Sequence, residues 1–194
     1  YSGYQKVAAN VIAMDGTNWF SSFTIDKGSK EGIKKGMNVI AGSGLVGIVT
    51  DVGPNFAKVR SIIDDSSNVS SMVLTTKDNF NVGGSLKSMN QDKVLPFTEL
   101  RDEDDKVKVG DPVVTSYVSD QYQEGILIGY IASIEKNANN LTKSGTITPV
   151  VDFQHLREVL VITTLKDTGE KELSSQKASD TQTETQDNTE TQKS

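Results

Sequence analysis

The amino-acid sequence predicts an all-β protein: two small six-stranded β-barrels packed together, with short helical turns only and a disordered polar C-terminal tail. Three observations lead there. Short runs rich in Val, Ile, Thr and Phe recur along residues 7–166, separated by Gly, Asn, Asp and Pro. A unit of glycine, strand, loop and glycine-interrupted apolar strand occurs twice. Residues 167–194 hold only Leu173 and Ala178 as aliphatic side chains, too little apolar surface to offset the entropy of ordering that stretch.

Taken in order, residues 1–6 read as the end of an upstream helix or a linker. Residues 7–80 are expected to form barrel 1, with strands near 7–14, 19–25, 37–41, 45–52, 57–63 and 69–75. Residues 81–166 are expected to form barrel 2, with strands near 80–86, 93–97, 112–117, 126–134, 145–151 and 158–164. Strand exchange between the barrels is compatible with this pattern. Helix is scarce: a frayed turn before Val7, a turn at 29–34 and one near 153–156. Pro54, Pro96, Pro112 and Pro149 fall at strand ends or edges, where a missing N–H is tolerated.

The repeat carries the barrel argument. Residues 35–52 and 109–134 share an order of features in which Gly36 matches Gly110 and Gly47 matches Gly129. After each unit comes a further strand, 57–64 and 145–152, ending in Asp. A strand coiling around a narrow barrel needs relief where it bends, and an internal glycine supplies it. Gly47 and Gly129 therefore read as barrel-corner positions; neither has phosphate-loop spacing around it.

Charge narrows the partners. The 194-residue chain carries a net charge of −6. The tail, with seven acids and three lysines, accounts for −4 of it, leaving the body near −2. That balance gives no electrostatic reason for nucleic-acid binding, and no run of basic residues addresses an anionic membrane. The absence of cysteine removes disulfides, thiolate metal sites and cysteine nucleophiles. No run of about 18 apolar residues occurs. Because the chain opens with Tyr1 rather than Met, a processed or excised piece is expected, with any membrane anchor upstream.

Catalytic chemistry finds little to work with. His155 is the single histidine, so no multi-histidine metal site exists and no paired nucleophile is evident. Asp64-Asp65-Ser66-Ser67 reads as a turn whose side chains cap backbone N–H groups. The loop 101–106, Arg-Asp-Glu-Asp-Asp-Lys, lacks the ligand spacing of a dedicated calcium loop. No catalytic, cofactor-binding or metal-ligating residue is assigned, and no cofactor is expected. Trp19 and Phe20, adjacent and so directed to opposite faces of a strand, are the candidate interface residues: the outward one either packs under a loop or between the barrels or offers an exposed contact to a partner.

One ordered series is specific. Val11-Ile-Ala-x-Asp15, Asn18-Trp-Phe20, Ile25-Asp-Lys-Gly28, Gly32-Ile-x-Lys-Gly-Met37 and Gly44-Leu-Val-Gly47 open it. Gly110-Asp111, Val114-Thr-Ser116, Gly125-Ile-Leu-Ile-Gly129, Pro149-Val-Val-Asp152 and Leu156-Arg-Glu-Val159 complete it. Together they resemble the extracytoplasmic domain of the rod shape-determining MreC family, from about Val7 to Thr163. The resemblance implies two β-barrels outside the cytoplasmic membrane, an upstream membrane helix and self-association. It also implies a non-enzymatic scaffold role in the elongation complex that organises peptidoglycan synthesis and maintains cell shape. The partners it implies are MreD, a class B penicillin-binding protein, a RodA-type glycosyltransferase and, indirectly, MreB. An extracytoplasmic hydrolase or a calcium-binding barrel module is the alternative.

Overall fold

The computed structural model describes residues 3–16 and 19–167. The expected disordered tail lies outside the described residues from 168 onward. The described residues form twelve strands. They are β1 Lys6–Met14, β2 Ser22–Ile25, β3 Asn38–Ala41, β4 Gly44–Val52, β5 Ala57–Ser61 and β6 Asn68–Val73. The rest are β7 Asn79–Gly83, β8 Leu95–Leu100, β9 Pro112–Thr115, β10 Leu127–Lys136, β11 Lys143–Pro149 and β12 Glu158–Ile162. Lys6 already lies in β1, so the expected upstream helix does not reach it.

A short 3-10 turn, Ser29–Glu31, sits where a turn was expected. The helix α1, Leu86–Asp92, was not expected, and it is more than a turn. Ser85 caps it by accepting the Ser88 N–H at 3.1 Å, and Asp65 accepts the Leu86 N–H at 2.8 Å. Met89 is its buried residue. The cap and the good helix formers Leu86, Lys87 and Gln91 outweigh the β character of the strands on either side.

Hydrogen bonding arranges the strands as two closed six-stranded rings. The first runs β4-β3-β12-β1-β2-β5 and closes through β4–β5. The second runs β10-β9-β6-β7-β8-β11 and closes through β10–β11. One parallel bridge, Leu127 to Gly44, joins them. The expected division into residues 7–80 and 81–166 is therefore corrected. β6 and β7 belong to the second ring, and β12 completes the first by pairing with β1 and β3.

The two rings share one connectivity, with the first circularly permuted. In the second ring β6 stands between β7 and β9. In the first the same place, between β1 and β3, is filled by β12 from the far end of the chain. Gly36 and Gly110, both at positive φ, donate to Val49 and Ile131 at matching points of β4 and β10. Gly47 and Gly129 lie where each ring closes: a Cβ would overlap the carbonyl oxygen of Arg60 at the first and of Thr148 at the second. Glycine there lets the closing strands approach.

The buried apolar residues form one continuous cluster drawn from both rings. Phe80 and Phe97 meet edge to face inside the second ring, centroids 5.0 Å apart. In β5 burial alternates, as a half-buried strand should. In β4 Gly44 to Val49 are all buried, since β4 also borders the second barrel: a Cβ on Gly44 would strike Val150 and Val151.

Candidate interaction surfaces

The joint between the barrels is built from buried polar side chains. Asn38, at the start of β3, is buried. Its Nδ2 donates to the Gln121 carbonyl at 2.9 Å, and its Oδ1 accepts the Gln123 N–H at 2.8 Å. Gln123 in turn donates to the Thr164 carbonyl at 3.0 Å. Tyr122, between them in sequence, is buried, and burial pushes its hydroxyl up to about 12, opposed by the nearby Arg60. Satisfied polar groups in a buried contact fix one geometry, because any slip leaves a donor or acceptor unpaired.

Trp19 belongs to this joint. It is 5% exposed, and its Nε1–H donates to Asn90 on α1 at 2.6 Å. Phe20 is half-buried, stacks edge-on to Phe23 at 6.2 Å and takes the Phe153 carbonyl through its N–H. Of the two readings of this pair, packing between the barrels is the one that Trp19 follows, with α1 of the second ring against its indole. Asn38 and Gln123 went unnoticed in the sequence, where a lone Asn opening an apolar strand was the available signal.

The acidic loop 101–106 is closed by lysine. Lys143 reaches Asp102 at 2.7 Å and Asp105 at 2.5 Å. Burial raises the Asp102 carboxyl, but hydrogen bonds from Lys143 and from the N–H groups of Lys106 and Val107 outweigh it and hold it below its ordinary value. Burial likewise opposes the Lys143 charge, and the two carboxylates overcome it, raising the amine. A cation supplied by the chain thus occupies the carboxylates that the calcium reading needed. Among the described residues no group of three or more His, Cys, Asp or Glu is placed to hold a metal.

His155 pairs with Asp152 at 2.8 Å in an exposed turn, and this contact holds the Asp152 carboxyl below its usual range. The pair rims a crevice of about 550 Å³ lined also by Asn10, Ala41, Val150, Arg157 and Glu158. An adjoining crevice of about 400 Å³ shares Asn10, Ala41 and Glu158. No serine or threonine lines either one, so the hydrolase reading lacks a nucleophile beside its base.

An apolar row crosses the outside of barrel 2. Tyr130 of β10 faces Pro112 of β9 and Thr148 of β11, and the Leu74 N–H bonds the Pro112 carbonyl. Tyr130 is 43% exposed and Leu74 41%. Cross-strand partners share a face, so these side chains form one outward band. No helix among the described residues is long and apolar enough to cross a membrane.

Two closed rings locked by a polar joint, with apolar side chains facing out, define a tandem β-barrel module that presents surfaces. The model of the rod shape-determining protein MreC barrel core matches residues 11–163, and the chain belongs to that family. The cell shape-determining protein MreC of Listeria monocytogenes is 34% identical over 161 residues, covering 82% of this chain and 54% of that protein. The chain thus spans about half the length of the curated relatives it matches. A solved MreC structure from L. monocytogenes superposes with a TM-score of 0.73 at 33% identity, over 85% of this chain and 79% of that one. A structure of the major periplasmic domain of the cell shape-determining filament MreC gives 0.66 at 21%, over 81% and 94%. The complex between penicillin-binding protein PBP2 and MreC of Helicobacter pylori gives 0.60 at 12%, over 82% and 100%.

Proposed function

We propose that this chain is the barrel region of a non-enzymatic scaffold that organises peptidoglycan synthesis during cell elongation and acts outside the cytoplasmic membrane. The observation that carries the reading is the joint: Asn38, Gln123 and Trp19 hold two closed barrels in one orientation, while neither crevice pairs a base with a nucleophile. A rigid two-barrel body with apolar side chains outside works by placing partners.

The partner proposed is the ectodomain of a class B penicillin-binding protein, by likeness to the Helicobacter complex. The row of Leu74, Pro112 and Tyr130 is the surface offered to it. Trp19 acts on binding through the joint it stabilises, and the half-buried Phe20 is the member of the pair left as a candidate contact. Self-association, MreD, a RodA-type glycosyltransferase, MreB across the membrane and an upstream membrane anchor complete the proposal, on the strength of the family. The test is calorimetric titration of the full chain with the penicillin-binding protein ectodomain of the same bacterium, both shown folded by circular dichroism. Micromolar or tighter binding is expected; no heat at ~100 μM of each overturns the assignment.

A further inference from the structure

The two rings close by different routes. The six strands of the second ring, β6 to β11, follow one another within residues 68–149. Five strands of the first ring, β1 to β5, lie within residues 6–61, and the sixth, β12, arrives only after the whole second ring. Without β12 the first ring is an open sheet with β3 at one edge and β1 at the other. β12 covers β1 along Lys6 to Asn10 and β3 along Asn38 to Ile40. Among the described residues no strand follows β12, so it can leave without displacing another. Its departure spares the ladders of the second ring, because β12 pairs with β1 and β3 and the rings are joined by the Leu127–Gly44 bridge instead.

The same strand is wired into the joint between the barrels. Two residues past Ile162, the Thr164 carbonyl accepts the Gln123 side-chain amide at 3.0 Å. Asn38, which accepts the Gln123 N–H at 2.8 Å, sits opposite Ile162 in the β3–β12 ladder. Loss of β12 therefore removes one partner of Gln123 and the ladder neighbour that holds the other. The ties that keep β12 in place are the buried side chains Val159, Val161 and Ile162, the bond from the Thr163 N–H to the Gln5 carbonyl at 3.0 Å, and Leu165 against Gly36. We propose that β12 is a latch: it detaches from β1 and β3 while the second barrel stays closed, and the same event frees Gln123 and loosens the angle between the barrels. Releasing one strand exposes far less apolar surface than dismantling a closed ring, so this opening lies below global unfolding in free energy. Val151, Phe153 and Leu156, in the connection before β12, are buried and keep the strand beside its slot, where tethering favours reclosure. The inference does not use the scaffold reading and stands or falls apart from it.

Amide hydrogen exchange of the full chain, followed by NMR in rising sub-denaturing urea, tests this. The amides of β12, of β3 and of β1 from Lys6 to Asn10 should exchange through one shared opening with a smaller urea dependence than those of β6, β7 and β9. The Gln123 amide should follow β12 rather than the second ring. The absence of cysteine permits a lock. Ala8 and Leu160 are direct partners across β1 and β12 and line the same outer crevice, a spacing that a disulfide bridges. In Ala8→Cys/Leu160→Cys, oxidation should slow exchange of the β12, β3 and Gln123 amides by about tenfold or more, and reduction should reverse it. Val161→Ala trims a fully buried side chain of β12 and should speed the same amides by about tenfold while β6, β7 and β9 keep their rates. One opening shared by β12 and the second ring overturns the proposal, as does protection unchanged by the disulfide or by Val161→Ala. A Gln123 amide that keeps the second ring's rate while β12 opens also overturns it, because the latch is then uncoupled from the joint.

Discussion

Removing the Lys143 amine should be the most damaging single polar change in barrel 2. Lys143→Met keeps most of the side-chain volume and deletes the charge. Lys143 is 8% exposed and Asp102 6%, and the ammonium lies 2.7 Å from the Asp102 carboxylate. Without it, that carboxylate stays buried with only the N–H groups of Lys106 and Val107 for company. Breaking a buried pair by removing one partner costs about 3–5 kcal/mol. The two surviving backbone hydrogen bonds argue for the lower end, so a loss of about 3 kcal/mol is expected. For a domain of this size that lowers Tm by roughly 6–12 °C.

Differential scanning calorimetry checks the value, and a cycle with Asp102→Asn checks the cause. In the Asp102→Asn background no charge is stranded, so Lys143→Met should cost only about 1 kcal/mol, a coupling near 2 kcal/mol. The pH dependence has a fixed sign. Asp102 titrates lower in the folded chain than its ordinary 3.8, so its contribution is present above that value and is lost as pH falls. Lys143 titrates above its ordinary 10.5, so its contribution is present below that value and is lost as pH rises through the folded pKa. The difference between wild type and Lys143→Met should be flat across the neutral range and shrink in acid and in strong base. A loss under ~1 kcal/mol at neutral pH, or equal losses in both Asp102 backgrounds, would refute the reasoning.

Three further outcomes follow from the same structure. Gly129→Ala drives a methyl into the Thr148 carbonyl at ring closure and should cost about 2 kcal/mol or more in urea unfolding, whereas Gly125→Ala meets open space and is strained only by its backbone. Asn38→Ala strands the Gln123 N–H and should cost about 2 kcal/mol; small-angle scattering should show a broader distribution of inter-barrel distances, while hydrogen exchange in the β6–β7 core stays slow. Tyr130→Glu places a charge on the outward row and should weaken binding to the penicillin-binding protein ectodomain about tenfold or more with Tm unchanged; unchanged affinity removes that row from the interface.

Much of the architecture was legible in the residue order. Twelve apolar runs with turn residues between them became twelve strands, since alternation and turn chemistry are local properties. The matches of Gly36 with Gly110 and of Gly47 with Gly129 marked equivalent places, because a positive φ and a close strand crossing each demand a residue without a Cβ.

What the tertiary structure alone decided were the relations between distant segments. β12 completes the first ring more than a hundred residues after β3, and no local pattern announces that partner. Which of Trp19 and Phe20 is buried between the barrels was open in the sequence, and α1, with Asn90 taking the indole N–H, decides it for Trp19. The acidic loop read as a charged, solvated turn, and only the fold brings Lys143 from another strand onto Asp102 and Asp105. Hydrophobic period and turn propensity act over a few residues, whereas burial, ion pairing and ring closure depend on which surfaces meet, and only the folded chain specifies that.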